Sequence, residues 1–509
     1  RIYSPSDLIT FMESPFASAM ERSALNDPEL RKLVDPPDNL LASLQNRGFK
    51  HEQDFIQSLK LDESLELINI GKSSAQKMIE ETKMAMEEGK DIITNGYLCH
   101  RPFAGISDIL AKVQGNSLLG PYHYEVWDVK LSKQLKPYFV IQLCCYVEML
   151  EKYQGRRPEF LTVVTGNGEK RRLRVENYFA YYRSLKTQFL QFQTDLQSQT
   201  PHPSISNKYG RWSNLAQSIL EEEDHLSQVA NLTRRQIKKL KNVGIYTMTQ
   251  LSSTSINHIP QMMNNVLTRV KKQAALQVAS KGLNIPKYEV LPHDKALKTG
   301  LCLLPPASDL DVFFDIEGYP GEDGGLEYLW GNAYVDYNGN ISFKDFWAHT
   351  PVEEKQAFID FVNWVHGRWK ENKGMHIYHY ASYEITALRK LMGIHGVLED
   401  KVDELLRNHV FVDLYNIVRS GVMIGVPRYS LKHVEHVYRG KRNTDVTSGG
   451  DSIAIYELWR SESDGETWET SKILKSLRDY NIDDCNSTME LATWLRNEQE
   501  KNGIVYIDL

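Results

Sequence analysis

Apolar positions first recur at helical spacing as Leu8, Phe11 and Met12, just after Ser4-Pro5-Ser6-Asp7, which carries a helix-start signal. The run 74–89 (SAQKMIEETKMAMEEG) keeps helical periodicity and stops at Gly89, a suitable C-cap. Strand-like runs follow at 91–98, 103–113 and 122–131, then a helix over 138–153. A further strand, 159–164, turns at Gly166-Asn167-Gly168. Helix, three strands, helix, strand predicts an α/β unit with a mixed sheet over residues 1–200.

The pattern changes at 198–231, where Ser, Gln, Pro and the acidic run Glu221-Glu222-Glu223-Asp224 predict a linker or mobile subdomain. Residues 232–281 read as helices and carry nine Lys and Arg with no Asp or Glu. With the linker they make up a middle segment, 201–304, closed by Pro305-Pro306. Beyond it, 311–318 (DVFFDIEG) reads as a buried strand and 328–349 as a hairpin, and helices alternate with strands to about 497. Residues 498–509 are expected to be a tail.

Composition narrows the class. A chain of 509 residues exceeds one core, so about two to four domains are expected. No run of eighteen apolar residues occurs, so no membrane span is expected. The opening Arg1-Ile2-Tyr3-Ser4-Pro5 has no apolar core for a secretory signal, and lacking Met it implies a natural start further upstream. Five scattered cysteines (99, 144, 145, 302 and 485) suit a reducing cytoplasm and argue against a zinc or iron–sulfur site. A net charge of −6 predicts no global attraction to nucleic acid, so binding must come from local basic patches.

Two sets of acids carry candidate chemistry. In the first, Asp108 lies in the second strand of the N-terminal unit and Asp128-Val129-Lys130 in the third. Alternation puts Asp128 and Lys130 on one face, and strand pairing can bring Asp108 beside them. Carboxylates that hold Mg²⁺ and a lysine that steadies water or phosphate are what phosphodiester hydrolysis requires. Gly48, His51 and Glu52 lie on an upstream helix, and Gln142 and Tyr146 share a face of the downstream one. This constellation resembles the PD-(D/E)XK nucleases of the RecB-like group. The resemblance implies His51, Asp108 and Asp128 as metal ligands, with Val129 adding its backbone carbonyl. It implies Lys130 as catalytic, Glu52 as the supporting helix carboxylate, and Gln142 and Tyr146 as facing substrate. The cysteines that clamp an iron–sulfur cluster in some relatives are absent, so no cluster is expected.

In the second set, Asp315 and Glu317 share one face of an apolar strand. Residues 376–384 (HIYHYASYE) read as a strand running into a helix whose first turn holds Glu384, and Tyr480 and Asp484 stand i, i+4 on a late helix. Four carboxylates from three elements can hold two cations about 3.5–4 Å apart for in-line displacement at phosphorus. The order resembles the DEDD exonucleases on the RNase H-like fold, in the subclass with Tyr-x-x-x-Asp. Asp315, Glu317, Glu384 and Asp484 would then be ligands, and Tyr480 would position the attacking water. Most such enzymes have Asp where this chain has Glu384. Asp413, Asp483 and His379 are read as supporting or structural.

Between the two sets, 240–251 (LKNVGIYTMTQL) reads as helix, glycine turn, helix. It resembles a helix-hairpin-helix, in which turn amides and neighbouring lysines grip phosphate; Lys239, Lys241 and Gly244 are the candidates. The whole arrangement resembles bacterial RecB-like nucleases with a fused exonuclease domain, often followed by a superfamily 1 helicase. Gly71-Lys72-Ser73 lacks the earlier glycine of a Walker A loop, so any helicase is expected beyond Leu509 or on another chain. The resemblance implies an α/β chain with a mixed-sheet nuclease domain (1–200), a helical middle and an RNase H-like domain (305–497). It also implies a Mg²⁺- or Mn²⁺-dependent nuclease acting on DNA in repair, recombination or defence. The alternatives are an RNA-processing 3′–5′ exonuclease and a nucleic-acid-binding scaffold with one or both sites inactive.

Overall fold

The structure is a computed structural model that describes residues 1–37, 39–132, 134–196, 200–293, 298–322, 324–439 and 449–508. It divides into two compact units, Arg1–Leu220 and Glu221–Leu509.

In the first unit, Ser4 caps the helix Pro5–Glu13: its hydroxyl accepts from the Asp7 amide while the Asp7 carboxylate accepts from the Ser4 amide. Six strands follow: β1 (Leu67–Asn69), β2 (Ile92–His100), β3 (Phe103–Ser117), β4 (Gly120–Val129), β5 (Phe160–Val164) and β6 (Lys170–Arg174). They form one sheet in chain order, parallel at β1/β2 and β4/β5 and antiparallel elsewhere. One face, with Leu110, Tyr124 and Val126, packs under the helix Pro137–Gln154 through Phe139, Leu143 and Leu150. The other face, with Ile109, Ala111 and Val129, packs against Ile56 of the helix Asn39–Lys60. Strand β6 (KRRLR) has no alternation for a sequence reading to find; it is a charged edge strand, as exposed edges require.

The stretch expected to be a linker is packed. Residues 213–222 form a helix, and Trp212 is fully buried with Ala216, Phe16 and Ala17. The Trp212 indole donates to Glu21 at 3.0 Å. Trp212, Ala216 and Leu220 recur every four residues, a stripe masked in the sequence by polar neighbours. Residues 198 and 199 lie outside the described residues.

In the second unit the helical segment is joined to the C-terminal region rather than standing alone. Strand β7 (Tyr288–Val290) pairs with the late strand β13 (Val422–Ile424), and Gln273 donates to the Ile424 carbonyl at 2.8 Å. The main sheet comprises β8 (Val312–Tyr319), β9 (Leu326–Val335), β10 (Ile341–Trp347), β11 (Ile377–His379) and β12 (Phe411–Asp413). Its order is β10-β9-β8-β11-β12, antiparallel through β8–β10 and parallel from β8 through β11 to β12. Val312, Phe314 and Ile316 bury one face of β8 against the helix Pro351–Glu371. Phe313 lies in the core on the other side with Cys485 and Leu491 of the long helix Lys472–Lys501. The expected tail is also anchored: the helix runs to Lys501, Ile504 is buried and the Ile507 amide bonds the Cys302 carbonyl. Leu509 lies outside the described residues.

Candidate functional site

Period two along β8 sends Asp315 and Glu317 to the face covered by the helix Lys472–Lys501, whose i, i+4 pair Tyr480 and Asp484 comes down onto them. Ligand oxygens of Asp315, Glu317 and Asp484 all lie within 4.8 Å of one another. Among the described residues this is the one such group of three His, Cys, Asp or Glu. Burial, then the charges of Asp484, Glu317 and Glu384, pushes Asp315 well above the carboxylate range. Burial and Asp484 push Glu317 up to about 8, against the pull of the Ser452 hydroxyl and Lys432. Burial followed by the same acids raises the Tyr480 phenol, which is hydrogen-bonded to Asp484.

Glu384 is in the second position of the helix Tyr383–His395 and is 3 % exposed, yet it is not one of the three converging groups. Its Oε2 lies 3.4 Å from His379 Nδ1, which is itself engaged with the Ala381 carbonyl at 2.7 Å. Glu384 Oε2 is buried with no hydrogen bond. A buried carboxylate oxygen without a donor, beside three mutually repelling carboxylates, is what a divalent cation would satisfy. The all-oxygen donor set suits Mg²⁺ or Mn²⁺.

Sequence reasoning missed three residues here. Asn481 donates from Nδ2 to Asp315 Oδ2 at 2.7 Å, and Ser452 from its hydroxyl to Glu317 Oε2 at 2.7 Å. Lys432 holds its ammonium 4.7 Å over the Tyr480 ring. Asn481 had a signal, since it follows Tyr480 in a helix whose buried side is apolar. Ser452 and Lys432 had none, because only the fold brings them near β8.

In the first unit Asp108 lies in β3, Asp128 and Val129 end β4, and Lys130 follows. The Lys130 ammonium is 2.7 Å from Asp128 Oδ2, and the Val129 amide donates to Asp108 Oδ2 at 2.9 Å. Burial, then Asp108, raises Asp128 well above its usual range, with Lys130 opposing. Burial disfavours the Lys130 charge, but Asp128 and Asp108 hold it above the ordinary lysine value. Glu52, on the helix Asn39–Lys60, is pushed up to about 7 by burial and then Asp108. Tyr146 is raised by burial and by Asp108 and Asp128, is opposed by a hydrogen bond with Gln142, and donates to the Ile106 carbonyl at 2.6 Å.

Asp108, Asp128, Lys130, Glu52 and Tyr146 thus share one electrostatic neighbourhood. The expected ligands His51, Asp108 and Asp128 do not converge as the second set does. Lys130 lies 2.7 Å from Asp128 Oδ2, which is buried without a hydrogen bond, and the Val129 amide occupies one oxygen of Asp108. His51 Nε2 is buried without a hydrogen-bond partner.

The helix-turn-helix of 234–253 forms around Gly244 at φ +82°. Its turn amides are already used: Gly244 donates to the Lys241 carbonyl, Ile245 to Leu240, and Met248 and Thr249 to Asp224. Lys239 bonds the Gln261 carbonyl and Lys241 contacts His225 Nε2 at 3.0 Å. The phosphate grip expected at Lys239, Lys241 and Gly244 therefore finds its amides occupied and an acid, Asp224, at the start of the second helix.

No curated protein matches the chain. Residues 312–496 match a family model described as the RNase H superfamily, and the converging carboxylates lie inside those limits. That stretch is an RNase H-like domain whose acidic cluster is compatible with metal binding and points to nuclease-type chemistry.

Proposed function

We propose that the protein is a metal-dependent nuclease that hydrolyses DNA phosphodiester bonds. The carrying observation is the convergence of Asp315, Glu317 and Asp484 within 4.8 Å inside the RNase H-like domain. These three residues, with Glu384 beside them, would hold Mg²⁺ or Mn²⁺. Such an ion, once bound, lowers the pKa of coordinated water and neutralises charge on the phosphate. Tyr480 stays protonated because its phenol pKa is raised, so its hydroxyl can orient the attacking water. Lys432 adds positive charge next to that ring. A cavity of about 420 Å³ is lined by Tyr380, Tyr415, Arg428, Tyr429 and Leu431, the chain neighbour of Lys432. Aromatic rings with an arginine suit a nucleobase and its phosphate.

The set in the first unit would act as a RecB-like nuclease site, with Asp108 and Asp128 toward the cation and Lys130 toward the phosphate or water. His51 and the Val129 carbonyl complete the ligand set by resemblance, and Glu52 supports it. Gln142 and Tyr146 would face substrate.

The test gives the purified chain Mn²⁺ with end-labelled linear DNA, circular DNA and RNA, alongside Asp128→Ala and Asp315→Ala. Loss of 3′-end trimming in Asp315→Ala is expected, and loss of circular-DNA nicking in Asp128→Ala. Cleavage unchanged by both substitutions would sink the two-site reading. Trimming of RNA but not DNA would replace DNA by RNA as the substrate.

A further inference from the structure

A second cavity in the Glu221–Leu509 unit, of about 720 Å³, is built from aromatic rings and acids. Its walls are Trp347 at the end of β10, His349, Trp459 and Trp468. The His349 ring lies 4.3 Å from Trp459 and 5.8 Å from Trp347, centroid to centroid. Three of these rings already have a polar edge engaged. Trp459 donates to the Gly465 carbonyl at 2.8 Å, Trp347 to Asp345 at 3.1 Å, and His349 Nδ1 lies 2.9 Å from the Tyr456 hydroxyl. What these side chains can still offer a ligand is their π faces.

Among the described residues that line the cavity the charged side chains have one sign, while the nearby Arg478 and Arg460 are each paired with an acid, Asp345 and Glu322. Exposed Glu353, Glu466 and Glu469 line the cavity, and no lysine or arginine does. Burial holds the His349 imidazole below its usual pKa, so it adds no positive charge near neutrality. Aromatic faces and carboxylates together attract a cation and repel a phosphate. The same chemistry already operates alongside, where the Arg478 guanidinium stacks 4.0 Å over Trp468 and pairs with Asp345.

We propose that this cavity docks an arginine or lysine side chain presented by a basic segment of a protein partner. Nucleic acid is excluded as the occupant by the rim carboxylates. The helix Gly449–Glu462 gives the docking site a route to the acidic cluster. It carries Trp459 into the cavity wall and Tyr456 against Tyr328, stacked at 3.8 Å. It also carries Ser452, whose hydroxyl donates to Glu317 at 2.7 Å. An occupant pressing on Trp459 therefore bears on the element that orients Glu317.

The experiment measures binding of a fluorescein-labelled Gly-Arg repeat peptide to the full chain by anisotropy at 0.15 M salt. A Gly-Glu repeat of equal length is the control peptide. Glu466→Lys/Glu469→Lys and Trp468→Ala are each expected to weaken binding of the arginine peptide by about tenfold or more. Glu29→Lys/Glu87→Lys, which changes the net charge equally at exposed positions of the first unit, should leave affinity within about twofold. Equal weakening by both charge reversals would show a net-charge effect and overturn the proposal, as would no binding of the arginine peptide at millimolar concentration. The readout is binding alone, so its failure would leave the nuclease reading untouched.

Discussion

Gly331 stands in β9 opposite Asp315 of β8, where a single methyl group is expected to disable the acidic cluster. A Cβ at this position would lie 1.5 Å from Asn481 Oδ1, 2.7 Å from its Cγ and 2.8 Å from Phe343 Cζ, against an ordinary contact of 3.4–4 Å. Asn481 is fully buried and cannot swing into solvent. It must withdraw by roughly 2 Å, which breaks its 2.7 Å hydrogen bond to Asp315. Overpacking costs about 1–3 kcal/mol and the lost hydrogen bond about 0.5–1.5 kcal/mol, together roughly 1.5–4.5 kcal/mol. A misplacement of about 1 Å at a reacting centre can cost on the order of 100-fold in rate. Gly331→Ala should therefore lower both the second unit's unfolding free energy in denaturant and Mn²⁺-dependent cleavage. A cycle with Asn481→Ala isolates the cause. If the methyl acts by striking Asn481, its cost should shrink by at least about 1.5 kcal/mol once Asn481 is gone. Additive costs, or a Gly331→Ala protein within about 0.5 kcal/mol and twofold in rate of the parent, would refute the reasoning.

Further outcomes follow from the same groups. Glu317 has its folded pKa raised from 4.5 to about 8, so its contribution to stability is full below 4.5 and lost as pH rises through 8. In EDTA the second unit's melting temperature should fall between pH 5 and 9, and Mg²⁺ or Mn²⁺ should restore it; a flat profile would refute a Glu317 carboxyl raised by burial and Asp484. Asp484→Asn removes one charge from the cluster and should raise that melting temperature in EDTA at pH 8 while abolishing cleavage. Lys130→Met leaves Asp128 buried without its ammonium and should cost about 3 kcal/mol where Asp128 is ionised, and less as pH falls, because burial and Asp108 favour its protonated form. Trp212→Ala should cost about 3–5 kcal/mol in unfolding of the first unit, where a linker position would cost under about 0.5 kcal/mol.

Much of the first unit was legible because its elements obey short-range periodicities. The runs 91–98, 103–113 and 122–131 became β2, β3 and β4, and 138–153 became the helix Pro137–Gln154. The edge strand β6 was not legible, since charge on an exposed edge hides alternation. The 198–231 stretch was misread because composition suggested a linker, whereas three apolar positions one turn apart were enough to dock a helix.

By itself the sequence determined where the acids sit on their elements. A period of two places Asp315 with Glu317, and a period of 3.6 places Tyr480 with Asp484, whatever the remainder of the chain does. Which acids meet was decided by the tertiary structure, because that depends on packing between residues more than a hundred positions apart. Gly331 makes room for Asn481 to reach Asp315, and Ser452 arrives from a separate helix to hold Glu317. In the first unit spacing along the strand puts Lys130 beside Asp128, 2.7 Å away, while the Val129 amide bond to Asp108 comes from strand pairing.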